Sequence, residues 1–255
     1  VLRLMRKGVS AMHNLQLLKW CKEFGITPLW NVLWGFPRED PAEYARMAEL
    51  FPLLTHLTPP DRMGTILLER FSPNFNESKA HGLKGVRPAP AYSFLYDLPE
   101  EALRNIAYYF TYEHEDDREV WDYVRPLSER ISAWMKEHAT SGLYALDQQE
   151  HLRIFDRRKI APAPELTLRG AERWALLECD AVNSLEGLKA RYLEQQPAAM
   201  GWDPLESVLE RLVAAKLLIT DGKSYLALPI PVTQEPFVTQ EPLAVAGASR
   251  RGSGS

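Results

Sequence analysis

Between two helix-patterned segments the chain carries Pro28-Leu29-Trp30-Asn31-Val32-Leu33-Trp34-Gly35, short and almost wholly apolar. A strand covered on both faces in a parallel sheet has this pattern, because a strand with one wet face alternates apolar and polar residues. Upstream, Met12, Leu15, Leu17, Leu18 and Cys21 fall close to one helical stripe over residues 11–23, and Gly25 stands where a helix stops. Downstream, Phe36-Pro37-Arg38-Glu39 is a turn. Asp40-Pro41-Ala42-Glu43 then starts a helix, with Asp as N-cap, Pro at the first helical position and Glu reaching back. That helix is expected over residues 42–54, Pro59-Pro60 marks a loop, and residues 65–71 read as a second strand. Helix, strand, helix and strand at this spacing predict an α/β fold with parallel strands and right-handed crossovers.

Residues 72–91 carry Pro73, Gly82, Gly85, Pro88 and Pro90 and are expected to be irregular. A helix is expected from about Pro99 through Ile106, Tyr108, Tyr109 and Phe110. After the acidic run Glu113-His114-Glu115-Asp116-Asp117, residues 118–138 place Val120, Tyr123, Val124, Leu127, Ile131 and Trp134 on one helical stripe. Residues 143–231 read as a separate small domain. Leu143-Tyr144-Ala145-Leu146 and Leu152-Arg153-Ile154-Phe155 form a hairpin that residues 165–168 join. Three helices follow, starting near Gly170, at Ser184 as N-cap and at Asp203-Pro204-Leu205-Glu206, before a hairpin that turns at Asp221-Gly222. That order is a winged helix. Val232-Thr233-Gln234-Glu235-Pro236 then repeats as Val238-Thr239-Gln240-Glu241-Pro242, and residues 232–255 are expected to be a disordered tail.

With 30 basic against 34 acidic residues and a net charge of -4, the chain lacks the cationic footprint that nucleic acid or anionic lipid attracts. No apolar run reaches membrane-helix length, so neither a membrane nor a nucleic acid is an expected partner. The two cysteines, Cys21 and Cys179, exclude a disulfide scaffold, a four-cysteine zinc site and an iron–sulfur cluster held by this chain's thiolates alone. A cytoplasmic location is expected. The opening Val1-Leu2-Arg3-Leu4-Met5-Arg6-Lys7-Gly8 reads as an amphipathic stretch already in progress, as in a segment cut from a longer protein or read from a late start.

Leu4-Met5-Arg6-Lys7-Gly8, residues 14–25 and Trp30-Asn31-Val32-Leu33-Trp34-Gly35-Phe36-Pro37-Arg38-Glu39 together resemble the second half of the radical S-adenosylmethionine (SAM) barrel. More narrowly, they resemble the cobalamin-dependent radical SAM C-methyltransferases that mature ribosomally made, post-translationally modified peptides. Residues 61–75, Val86-Arg87-Pro88-Ala89-Pro90-Ala91-Tyr92, Tyr108-Tyr109-Phe110 and Tyr123-Val124-Arg125-Pro126-Leu127 extend the resemblance over most of the chain up to the tail. It implies an α/β protein: a partial (β/α) barrel over residues 1–75, an irregular connection and helices over 76–142, and a small winged-helix-like α+β domain over 143–231. It also implies an enzyme that cleaves SAM to a 5′-deoxyadenosyl radical, abstracts hydrogen from an unactivated carbon of a precursor peptide, and transfers a methyl group from methylcobalamin.

By that resemblance the strand ending at Gly35 passes beside the adenine of SAM, so Asn31, Leu33, Gly35, Phe36 and Arg70 are the cofactor-binding candidates. Gly35, without a Cβ, would let a flat ligand approach the backbone. Arg38 stands where the family's Gly-Phe-Pro-Gly-Glu turn has its second glycine. The family's Cys-x-x-x-Cys-x-x-Cys loop for the [4Fe–4S] cluster and its cobalamin domain have no counterpart in this sequence. A missing N-terminal region or a partner is expected to supply both, and the chain alone is expected to show no turnover. The small domain is similar to the recognition element that grips leader peptides by β-augmentation, with the candidate edge at Leu152, Ile154 and Phe155 beside the third helix. Two further functions remain open: a non-catalytic leader-peptide-binding module serving a separate radical SAM partner, and a winged-helix DNA-binding regulator. The second is disfavoured by Glu206 and Glu210 beside Arg211 and Lys216.

Simpler roles stand beside these. Glu39 and Asp40 are expected to organise the turn and cap the helix. Arg70 either binds a carboxylate or peptide or makes a structural contact. Asn31, an amide inside an apolar strand, needs a partner in a ligand or a neighbouring strand. His114 and the basic residues of Asp156-Arg157-Arg158-Lys159 are expected to be solvated, and the histidines form no metal-binding pattern.

Overall fold

The computed structural model describes residues 1–5, 7–195 and 203–236. Residues 1–5 make a turn closed by the Met5 N–H on the Val1 carbonyl (3.1 Å). Helix α1 (Ala11–Glu23) is capped by the Ser10 hydroxyl and buries Met12, Leu15, Leu18 and Cys21; Leu17 faces out. Strands β1 (Asn31–Trp34) and β2 (Arg62–Thr65) pair in parallel, Trp34 opposite Thr65, with helix α2 (Pro41–Leu50) between them in the chain. The Asp40 carboxylate accepts the Ala42 N–H (2.9 Å), as the Asp-Pro-x-Glu start predicts, whereas the Glu43 carboxylate pairs with Arg46 instead of reaching back. A 3₁₀ turn, Phe51–Leu54, completes the helix.

β1 and β2 form a two-stranded sheet, so each has an outer edge with no other described strand on it. β1 is not covered on both faces: Val32 and Trp34 are buried, Leu33 is half-buried and Asn31 is exposed.

Residues 65–71 do not form one strand. The chain leaves β2 after Thr65 and enters a second sheet at β3 (Leu68–Glu69), followed by the short helix α3 (Pro73–Asn76), β4 (Leu83–Pro88), α4 (Ala91–Leu95), α5 (Glu100–Ile106) and β5 (Tyr109–His114). The sheet runs β3-β5-β4 and is antiparallel. Residues 72–91 are therefore less irregular than expected. Gly85, at φ +60°, lies within the register shift between Lys84 and Arg87, and Pro88 ends the strand, two placements that let a Gly- and Pro-bearing segment pair. The expected helix through Phe110 stops at Ile106. Beyond it Phe110 and Tyr112 alternate into a small core with Leu68 and Leu83, a period of two that outweighs the helical spacing of Ile106, Tyr109 and Phe110.

Helix α6 (Val120–Glu137) buries Val124, Leu127, Ile131 and Trp134, and packs on α2. The C-terminal half comprises β6 (Leu143–Asp147), β7 (His151–Asp156), β8 (Glu165–Arg169), α7 (Gly170–Glu178), β9 (Asn183–Ser184), α8 (Leu185–Gln195), α9 (Leu205–Ala214), β10 (Leu218–Thr220), β11 (Ser224–Ala227) and β12 (Ile230–Val232). Ser184 Oγ accepts the Gly187 N–H (3.0 Å), and Asp221 Oδ1 accepts the Lys223 and Ser224 N–H groups around Gly222 at φ +86°. One sheet has the order β12-β6-β7-β8, with β12 parallel to β6; the other has β10-β11-β9.

Val232 thus belongs to a strand, and the second copy of the Val-Thr-Gln-Glu-Pro repeat lies outside the described residues. A continuous apolar core runs from Met12 and Leu54 through Trp134 to Leu212 and Ile230, across the expected division at residue 143. The architecture is mixed α/β, built from several small sheets. Among the described residues no helix is long and apolar enough to cross a membrane.

Candidate functional site

The turn after β1 is organised by one side chain. Glu39 is buried, and its Oε1 and Oε2 accept the Gly35 N–H (2.9 Å) and the Phe36 N–H (2.7 Å). The hydroxyls of Tyr44 on α2 and Tyr123 on α6 donate to the same two oxygens. Burial, then the bond to Glu39, pushes both phenols well above their usual range, so they stay protonated donors. The Tyr112 hydroxyl donates to the Gly35 carbonyl (3.0 Å), and Arg118 Nη1 to the Glu39 carbonyl (3.2 Å). The Arg118 guanidinium also grips Asp116 and holds that carboxyl down at about 2. Glu39 therefore ties β1, α2 and α6 together, the organising role expected of it.

Two residues in the turn have left-handed backbone. Gly35 lies at φ +78°, and a Cβ there would meet Thr65 Cγ2 at 2.8 Å and the Tyr112 hydroxyl at 3.2 Å. The chain's own side chains therefore demand a glycine here. Arg38 lies at φ +59°. The glycine-type conformation persists with an arginine in it, at a cost of roughly 1–2 kcal/mol.

The five cofactor candidates are not brought together. Gly35 and Phe36 share the braced turn. Leu33 is half-buried, and Asn31, exposed at the far end of β1, is not the buried amide expected. Arg70 sits in the other sheet, its Nε donating to the Ala107 carbonyl (2.6 Å) and its Nη2 to that of Arg104, with its guanidinium over Phe110 (5.1 Å) and Phe75 (5.7 Å). These bonds tie it to the end of α5.

A cavity of about 580 Å³ opens at the carboxyl end of β2, lined by Thr65, Ile66, Tyr112, His114, Arg118 and Trp121. His114 is buried, not solvated, and its Nε2 has no hydrogen-bond partner among the described residues; burial first, then Arg118, pushes its imidazole below the usual range. These lining residues escaped sequence reasoning. Their signal was the alternation Phe110, Tyr112, His114, masked by the acidic residues between and after them.

In the C-terminal half, Leu152, Ile154 and Phe155 lie on β7 inside its sheet, paired to β6 on one side and β8 on the other. All three are buried, so the peptide-accepting edge expected there does not exist. The outer edges of this sheet belong to β8 and β12. Arg158 is also buried, in an ion pair with Asp156 (2.7 Å), and it reaches the Leu53 and Lys216 carbonyls (2.8 Å each); the expected solvation is replaced by a strut.

Cys21 on α1 and Cys179 at the end of α7 are both buried, and burial, then Glu178, pushes the Cys179 thiol up to about 12. Among the described residues no group of three or more His, Cys, Asp and Glu could hold a metal ion. The residues of this chain do not fit an iron–sulfur cluster. Comparisons with protein-family models, with curated proteins and with solved structures return no match.

Proposed function

We propose that this chain is the C-terminal segment of a radical SAM enzyme that methylates carbon centres of a ribosomal precursor peptide, contributing a stretch of barrel wall and a peptide-handling module. The observation that carries the reading is the parallel β1–β2 pair: its carboxyl ends meet at a braced turn and open on a 580 Å³ cavity. In parallel α/β sheets such strand ends are where ligands bind. The unpaired outer edges of β1 and β2 suit a sheet that continues with strands from elsewhere. A cluster and cobalamin held by another region or partner would supply the radical chemistry. This chain's own contribution is to shape the cavity, line it with Ile66 and Trp121, and offer Arg118 N–H groups as donors and the Tyr112 oxygen as an acceptor.

The test is nuclear magnetic resonance titration with SAM. Amide shifts concentrated at Gly35, Thr65, Tyr112 and Trp121 are expected, with none in α8. Saturating SAM without shifts at those four residues would overturn the reading.

A second reading is a leader-peptide-binding module serving a separate enzyme. The element order α7, β9, α8, α9, β10, β11, with β11 central in its sheet, is what favours it, since a winged helix is ordered this way. An extended peptide would then add to the outer edge of β8, in place of the sealed β7. Hydrogen exchange with a candidate leader peptide separates this from simple adhesion: β8 amides gain protection while β7 amides are unchanged. A DNA-binding role finds less support, because on α9 Arg211 is held by Glu172 and Asp203 and Glu206 is paired with Lys189.

A further inference from the structure

Arg46, Arg118, Arg153, Arg173, Arg191 and Arg211 are each paired with a carboxylate. One concavity breaks the pattern. A groove of about 430 Å³ beside the braced turn is lined by Arg3, Lys7, Arg38 and His81 around an apolar floor that includes Phe36 and Pro37, and no acidic residue lines it. Among the described residues none of these three Lys and Arg cations is in an ion pair, and Arg38 uses its guanidinium on a single acceptor, the Ala80 carbonyl (2.8 Å). An adjoining compartment of about 260 Å³ shares Arg38 and His81 and adds Lys79 and His114, whose buried Nε2 lacks a partner among the described residues. The acids of that compartment are Glu115 and Asp116, and Asp116 is already held by Arg118.

Like charges gathered in one hollow of an acidic protein repel one another, and Arg38 is also kept in a left-handed conformation that an arginine disfavours. Both features fit a bound anion. We infer that this groove binds a diphosphate group, carried free or on a small organic body. A phosphoryl chain presents several oxygens to guanidinium forks and ammonium donors at once, where one carboxylate would satisfy one cation. The volume is that of a small-molecule pocket, and the Phe36–Pro37 floor can take an apolar or aromatic body attached to the diphosphate. The inference does not rest on the radical SAM reading.

The test is isothermal titration of the full chain at low salt with pyrophosphate, ADP and a glutamate-rich peptide, repeated with Arg38→Glu, with Lys7→Glu and with Arg62→Glu as control. Arg62 is exposed on β2, outside the groove. Each groove reversal is expected to weaken pyrophosphate and ADP by about tenfold or more, the control by less than about twofold. Tighter binding of ADP than of pyrophosphate assigns the floor to an organic body; equal binding assigns the site to the diphosphate alone. Wild-type protein that binds neither probe, affinities unmoved by both reversals, or binding of the peptide without pyrophosphate would each overturn the inference. Lys7 lies in irregular chain before α1, so its variant keeps the test valid should Arg38→Glu fail to fold.

Discussion

Glu39 and Asp156 are both buried carboxylates, and they anchor regions built on different terms. Asp156 has a dedicated cation: Arg158 follows it by two residues, is equally buried, and spends its remaining donors on two backbone carbonyls. Glu39 has no salt bridge and is held by neutral donors from the turn, α2 and α6. The surroundings follow suit. Around Asp156 the central strands of the sheet are paired on both sides and the neighbouring arginines have carboxylates. Around Glu39 a two-stranded sheet leaves its edges open, cavities flank the turn and cations stand unpaired. The buried polar groups at Asp156 are met by one another; the turn at Glu39 is met too, yet it stands beside open edges and hollows suited to something else.

The largest expected effect sharpens this contrast. Asp156→Ala strands a buried guanidinium and should cost about 3–5 kcal/mol in urea unfolding. Glu39→Ala leaves two backbone N–H groups and two phenols without their acceptor, and should cost as much, about 3–5 kcal/mol, because each neutral donor is cheaper to strand than a charge but four are stranded. A larger loss for Glu39→Ala would break the contrast.

Next comes pH. His56 is fully buried between the halves, its Nε2 2.9 Å from the Leu228 carbonyl, and burial, then Arg158, pushes its imidazole well below the usual range. The unfolded chain takes up this proton near pH 6.5 and the folded chain does not, so stability is lost as pH falls below about 6.5, by up to about 1.4 kcal/mol per unit. His114 and His138 are shifted the same way and add to the slope. Unfolding at pH 7 and pH 5 should differ by about 2 kcal/mol, and His56→Gln should flatten the difference. The smallest effect is a gain: Arg38→Gly should stabilise by about 0.5–1 kcal/mol, the relief of the left-handed backbone being partly offset by glycine's greater freedom in the unfolded chain. A loss would mean that the Arg38–Ala80 contact outweighs the strain.

Local chemistry made much of the fold legible. Asp40, Ser184 and the Asp221-Gly222 turn act at the positions their residue types announce, and α1 spans its apolar stripe. The β4–β5 pairing was hidden because Ile106, Tyr108, Tyr109 and Phe110 mimic a helix face, while Gly85 and Pro88 conceal a strand that tolerates them through a register shift. Long-range partners were the other blind spot. Nothing near Glu39 in sequence announces Tyr123, and nothing near Arg158 announces Leu53. Which strand forms an edge also depends on its neighbours, so Leu152, Ile154 and Phe155 read as a docking strip while lying between β6 and β8.

The last described strand has a consequence for synthesis. β12 lies parallel to β6, and the Leu228 carbonyl just before it is the partner of His56, 172 residues upstream. A ribosome making this chain must therefore release it through β12 before His56 and the outer side of β6 are covered. Until then the nascent protein carries an open strand edge and an unfinished seam, the stage at which a chaperone would be most needed.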